Sequence, residues 1–77
     1  MLLTELGKKE KARIVRIKRQ GRADIAVRLT DMGLVKGVKL ELIRRAPLGD
    51  PLEIKTGNFL LLSLRREEAE IIEVEKL

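Results

Sequence analysis

Two short apolar runs flank a corner that holds both prolines of the chain. Residues 38–45 and 52–56 alternate apolar with charged side chains, and this period of two is typical of half-buried strands. Between the two runs lie Pro47, Gly49 and Pro51. Because proline fixes φ and has no N–H to donate, this corner cannot lie in the middle of a sheet. It is predicted to be a rigid connection between two strands.

The first predicted strand covers residues 12–17. Its apolar positions change parity between Ile14 and Val15, which indicates a bulge or a strong bend. A basic loop, residues 18–22, follows this strand. Small barrels require such bends, because a sheet must curve to close.

Two more strands are predicted in the C-terminal part. Residues 59–64 follow a Gly57-Asn58 hairpin signal, and residues 70–74 follow a polar helical turn at 65–69. Short strands joined by tight turns predict a mainly β fold. We expect one domain over residues 1–77, a small closed SH3-like barrel of about five strands with one short helix between strands 1 and 2.

The helix is predicted over residues 23–32. One stripe of its surface is apolar at helical spacing, formed by Ile25, Leu29 and Met32. Gly33 is the expected C-terminal stop. Val27 lies opposite this stripe, where a polar residue is expected, so either the helix is covered on two sides or Val27 belongs to a contact surface.

Residues 59–64 are apolar on both faces, with Ser63 as the only polar residue among them. A strand of this kind is either buried on both faces or exposes an apolar strip. Two interpretations stay open, a partner-facing strip or cover by the N-terminal Leu2, Leu3 and Leu6.

Composition excludes most catalytic chemistry. The 77 residues contain no Cys and no His, so disulfides, thiolate catalysis, imidazole acid–base catalysis and soft metal sites are excluded. Ser63, the only serine, has no histidine to activate it. We therefore predict a non-enzymatic protein with no catalytic, cofactor-binding or metal-binding residues. No apolar run approaches the roughly 20 residues of a membrane helix, and no signal-peptide pattern is present, so a cytoplasmic location is expected.

The net charge of +5 permits an acidic partner such as nucleic acid or an anionic membrane face. Most of the basic excess lies near the N-terminus, at Lys8, Lys9, Lys11, Arg13, Arg16, Lys18, Arg19 and Arg22. Binding of single-stranded nucleic acid relies on aromatic stacking platforms, and Phe59 is the only aromatic residue. Nucleic-acid binding is therefore the alternative rather than the preferred function, and a self-associating domain is a third possibility.

Several segments, in order and spacing, closely resemble the FeoA family. They are LTELG at 3–7, ARIVRI at 12–17, Arg28-Leu29, DMGL from Asp31 to Leu34 including Met32 and Gly33, RAPLGDPLEI at 45–54, SLRREEA at 63–69 and IEVE at 72–75. Gly37 completes a G-x-x-x-G spacing with Gly33. The most specific segment contains Pro47, Gly49, Asp50 and Pro51. Together the segments cover nearly the whole chain.

This resemblance implies an SH3-like domain that acts with FeoB, the ferrous iron permease bearing a cytoplasmic G-protein domain. It also implies similarity to the C-terminal module of iron- and manganese-dependent repressors. The expected partner surface combines the outer helix, at Val27, Arg28 and Asp31, with the strip at Phe59, Leu60 and Leu62. The contact would involve the G-protein domain or the membrane base of the permease, placing the protein peripherally at the inner membrane face. Homo-oligomerisation is a further option.

Overall fold

The computed structural model describes residues 1–57 and 60–77. After a 3-10 turn at Leu3–Glu5, the elements in chain order are β1 (Lys11–Ile17), α1 (Ala23–Asp31), β2 (Lys39–Arg45), β3 (Leu52–Thr56), β4 (Leu61–Leu64), α2 (Arg66–Ala69) and β5 (Ile72–Lys76). The predicted order of strands and helices is confirmed. The Gly57-Asn58 turn and the predicted start of β4 at Phe59 involve two residues outside the described ranges.

The strands form one antiparallel sheet in the order β4-β3-β2-β1-β5. The fold is therefore mainly β, as predicted, but the expectation of a closed barrel is wrong. Among the described residues, β5 pairs with the N-terminus instead of with β4. Leu2 bridges to Glu73, and the Val74 N–H donates to the Met1 carbonyl at 2.7 Å. The outer edge of β5 is thus occupied, and β4 remains an edge strand.

Two register shifts bend the sheet around its core. The shift in β1 lies between Ile14 and Arg16, where the change of parity predicted a bulge. A second shift, between Leu42 and Arg44 in β2, was not predicted. Its sequence signal is Ile43, an apolar residue at a position where the alternation calls for a polar one. An extra residue increases the local twist of a strand, and this lets five short strands wrap one core.

The core is aliphatic and draws on every element. Its buried members are Leu3, Leu6, Ala12, Ile14, Ala26, Leu29, Leu34, Leu40, Leu42, Leu52, Ile54, Leu64, Ala69, Ile71, Ile72 and Val74. The apolar stripe of α1 faces this core, with Ile25 and Met32 partly buried beside Leu29. Ile71 and Ile72 are both buried because Ile71 lies in the turn after α2, and β5 begins only at Ile72. The last strand therefore runs two residues later than predicted.

The end of α1 has the hydrogen bonds of a Schellman motif. The Gly33 N–H donates to the Thr30 carbonyl at 2.9 Å, and the Leu34 N–H donates to the Leu29 carbonyl at 3.0 Å. Gly33 has a φ of 85°, which glycine adopts without a Cβ penalty. Leu34 and Leu29, both fully buried, provide the apolar contact that usually accompanies this motif. The predicted stop at Gly33 is therefore explained by its backbone geometry.

The proline corner is a compact turn that is fastened to α2. The Gly49 N–H donates to the Ala46 carbonyl at 2.7 Å, and the Ala46 N–H donates to the Pro51 carbonyl at 3.0 Å. Asp50 Oδ1 accepts a bond from the backbone N–H of Arg66 at 2.9 Å. The corner is therefore held at its base and at α2, in agreement with the predicted rigid connection.

Candidate functional site

The apolar strip exposes two leucines, Leu60 immediately before β4 and Leu61 at its first position. Leu60 is 51% exposed and Leu61 is 64% exposed, whereas Leu62 is partly buried and packs against the core. Leu61 lies opposite Lys55 in the sheet, and Leu62 lies opposite Ile54. Strand alternation turns Leu62 inward and Leu61 outward, so Leu62 presents less surface to a partner than Leu61, and its partner-binding role stays a prediction. Phe59 lies outside the described residues.

A shallow hollow connects this strip to the end of α1. It has a volume of about 280 Å³ and is lined by Met32, Gly33, Val38, Lys39, Thr56, Gly57 and Leu60. The strip therefore reaches the C-terminal end of α1, but Val27, Arg28 and Asp31 do not line this hollow. Val27 is 55% exposed, and Arg28 and Asp31 are also exposed. A partner-binding role for all of these residues stays a prediction.

Arg28 already has a partner within the chain. Its Nη1 lies 3.2 Å from Oε2 of Glu68, a carboxylate whose side chain is only 4% exposed. Oε1 of Glu68 accepts the backbone N–H of Arg65 at 2.9 Å. Arg28 thus compensates a buried charge and joins α1 to α2. Sequence reasoning missed Glu68 because it read residues 65–69 as a polar turn; the signal available was a carboxylate three residues after the start of that turn.

A polar hollow of about 720 Å³ surrounds this ion pair. It is lined by Arg28, Asp50, Pro51, Ser63, Arg65, Arg66, Glu67, Glu68 and Glu70. Its charges are close to balance, and its exposed Ser63 has no histidine to serve as a base. Within residues 1–57 and 60–77, no group of three or more His, Cys, Asp or Glu side chains is placed to hold a metal ion. The hollow has the composition of a solvated ion-pair network.

The basic residues near the N-terminus do not form one cluster. Lys8, Lys9 and Lys11 lie at the start of β1, and Lys18, Arg19 and Arg22 follow its end. The length of β1 separates the two groups by about 20 Å, since a strand rises about 3.3 Å per residue. The continuous phosphate-binding patch on which the nucleic-acid alternative depends is therefore divided.

Arg13 and Arg16, within β1, are engaged by β5. Arg13 lies 3.6 Å from Glu75, and Arg16 donates two hydrogen bonds to Glu73, at 3.2 and 3.0 Å. The hydrogen bond from Arg16 lowers the pKa of Glu73. Both arginines therefore act at least partly in cross-strand pairing. No helix in the described part of the chain is long and apolar enough to cross a membrane.

The chain is similar to known iron-transport proteins. It is 40% identical over 75 residues to an Fe(2+) transport protein A/Fe(2+) transporter FeoB fusion protein of Porphyromonas gingivalis; this covers 97% of the chain and 8% of the fusion protein. The chain thus spans less than a tenth of the length of that relative. It is 31% identical to the zinc-complexed FeoA of Stenotrophomonas maltophilia, described as a prokaryotic SH3 domain protein, with a TM-score of 0.82 over 97% of this chain and 89% of the other.

The fold also extends to a different protein class. The structure of a manganese-dependent transcriptional repressor is similar to this chain, with a TM-score of 0.92 and 14% identity. The similar region covers 100% of this chain and 36% of the repressor. At that identity the likeness concerns the fold alone, and it agrees with the predicted similarity to a repressor module. The FeoA domain model matches residues 1–76. The SH3-like chain therefore belongs to the FeoA family.

Proposed function

We propose that this protein is a non-enzymatic accessory of ferrous iron transport that acts by direct contact with an FeoB-type permease. One observation carries the proposal: in the Porphyromonas gingivalis relative, a segment 40% identical to almost the entire chain is joined to an FeoB transporter in one polypeptide. Two activities fused in one chain operate at the same place. A separate FeoA chain reaches the same arrangement by binding, on the cytoplasmic side of the membrane.

The surface around Leu60 and Leu61 is the candidate contact. Both leucines are more than half exposed, Leu60 immediately before β4 and Leu61 on it, and the described part of the chain leaves this edge strand without a second neighbour. Leu60 lines a hollow that reaches the end of α1, so one partner element could cover Leu60 and the helix end together. Covering a leucine contributes about 1.5–3 kcal/mol, or at least ten-fold in affinity.

Capture by the permease tests this proposal. Full-length FeoB-type permease from the same organism, solubilised in detergent, is immobilised and presented with the wild-type chain and with Leu60→Glu and Leu61→Glu. We expect the wild type to be retained and both variants to lose at least ten-fold in affinity. A parallel arm with the isolated G-protein domain locates the contact on the permease.

The matched control is Leu48→Glu, which makes the same chemical change at a leucine that is 92% exposed on the proline corner. It should bind like the wild type, and circular dichroism should show all the variants folded. Failure of the permease to retain the wild-type chain contradicts the proposed function. Equal retention of all four proteins removes the β4 surface from the contact while leaving the function standing.

A further inference from the structure

One end of the molecule carries a concentration of positive charge that ion pairing within the chain leaves largely uncompensated. We call it the basic face and define it as Arg16, Lys18, Arg19, Arg22 and Lys36. All five side chains are exposed. Arg16 pairs with Glu73, while the other four form no ion pair within 4 Å among the described residues. Glu73 on β5 also interacts with Lys18, and Asp24, Asp31 and Glu70 lie next to these elements along the chain. None of these acidic side chains lines the hollow at the centre of the face, where positive charge dominates.

The fold brings these residues together from the end of β1 and from the loops that follow β1 and α1. The Lys18 N–H donates to the Ile71 carbonyl at 2.7 Å, and the Arg22 N–H donates to the Arg19 carbonyl at 2.9 Å, so the loop after β1 is a fixed turn. The Gly37 N–H donates to the Ile14 carbonyl at 2.7 Å, which holds the loop after α1 against β1. Lys36 therefore lies beside the end of β1.

A hollow at the centre of the basic face combines positive charge with aliphatic walls. It has a volume of about 390 Å³ and is lined by Arg16, Arg19 and Lys36 together with Val15, Ile17, Thr30 and Val35. No acidic side chain lines it, in contrast to the polar hollow around Glu68. Val35 is 40% exposed at its rim. Cationic side chains around a small aliphatic surface are complementary to a partner that carries phosphate groups next to hydrocarbon.

We propose that the basic face is a membrane-docking surface for anionic phospholipids, with its lysines and arginines on the lipid phosphates and Val35 against the interfacial hydrocarbon. Basic residues beside a negatively charged leaflet gain attraction that decays within a Debye length, about 8 Å at physiological salt. Clustering within one face therefore matters more than the net charge of the chain. The hollow has no aromatic side chain on which a nucleic-acid base could stack, which favours lipid over nucleic acid.

The basic face does not use the surface assigned to the permease. None of the residues that line its hollow lines the hollow beside Leu60. Lipid and permease could therefore be bound at the same time. The two proposals also fail separately, because vesicle binding requires no permease and permease capture in detergent requires no bilayer.

Sedimentation with vesicles tests the membrane proposal. The full chain is mixed with vesicles of phosphatidylcholine alone or of equal parts phosphatidylcholine and phosphatidylglycerol. We expect binding only to the anionic vesicles, weakening as salt is raised. Each basic residue at an anionic surface contributes about five-fold, so the triple variant Lys18→Gln, Arg19→Gln, Lys36→Gln should bind about 100-fold more weakly.

A matched variant separates the basic face from net charge. Lys8→Gln, Lys9→Gln, Lys11→Gln removes the same three charges from the opposite end of β1, about 20 Å away. This variant should keep most of the vesicle affinity. Equal loss in the two triple variants overturns the proposal, as does equal binding to neutral vesicles. Tighter binding to a DNA or RNA oligonucleotide than to anionic vesicles in the same buffer also overturns it.

Discussion

Two neighbouring leucines on β4 should differ in how much stability the same substitution removes. Leu62 packs against the core opposite Ile54, whereas Leu61 is 64% exposed. Truncating a fully buried leucine to alanine costs about 2–5 kcal/mol. Because Leu62 is only partly buried, we expect Leu62→Ala to cost about 1.5–2.5 kcal/mol. Leu61→Ala should stay within about 0.5 kcal/mol of the wild type, as is usual for exposed positions.

A charge makes the contrast larger. Leu62→Glu turns a carboxylate toward the core and adds its desolvation to the lost packing, so we expect a cost of about 3–5 kcal/mol. A domain of this length is stabilised by only about 4–11 kcal/mol, so Leu62→Glu should unfold at much lower urea. Leu61→Glu should remain folded and lose permease binding instead. The first variant therefore cannot serve as a binding probe, and the second can.

Urea unfolding followed by circular dichroism measures both effects. The four variants are compared with the wild type at equal protein concentration, and a constant m-value shows that only stability has changed. A one-residue slip in pairing turns every side chain of a strand to the opposite face. If Leu61→Ala costs as much as Leu62→Ala, or more, the register of β4 on β3 is wrong, and so is the reasoning about its exposed face.

Three further outcomes follow from the ion pairs and the loop after α1. Arg28→Ala should lower the free energy of unfolding in urea more than Glu68→Gln does, by about 1 kcal/mol or more. Arg28→Ala leaves a buried carboxylate without its cation, whereas the glutamine of Glu68→Gln keeps an acceptor for the Arg65 N–H. Equal costs for the two variants would contradict this. Gly37→Ala should lower the free energy of unfolding by about 1–2 kcal/mol. The cost comes from the φ of 94° alone, since a Cβ at this position meets nothing within 4 Å. Gly57 has the same open space but no positive φ, so Gly57→Ala should not have this cost. The Arg16 hydrogen bond lowers the pKa of Glu73 in the folded state. The stabilisation of the fold by this pair is therefore present above the unfolded pKa of about 4.3 and is lost as pH falls through the folded pKa. The urea midpoint of Glu73→Gln should therefore fall less than that of the wild type between neutral and acidic pH, and an equal fall would refute the assignment.

Local sequence determined the elements of this protein because the signals involved act over a few residues. The alternation at 38–45 and 52–56, the parity change at Ile14 and the glycine stop at Gly33 each depend on neighbouring backbone geometry. The proline corner is likewise local, since proline cannot continue a ladder wherever the rest of the chain lies. The FeoA motifs carried the family for the same reason, as ordered local segments.

Only the tertiary structure decided how these elements meet. Closure of the sheet depended on which segment would bond to the outer edge of β5, either β4 or the N-terminal residues Met1 and Leu2. These two competing segments lie about sixty residues apart in the chain. Glu68 reads as one more surface charge until α1 brings Arg28 to it. Side-chain direction on β4 depended on its register against β3, which a run apolar on both faces could not specify. Contacts between distant segments are set by packing and by competition for partners, and these quantities do not exist until the whole chain has folded.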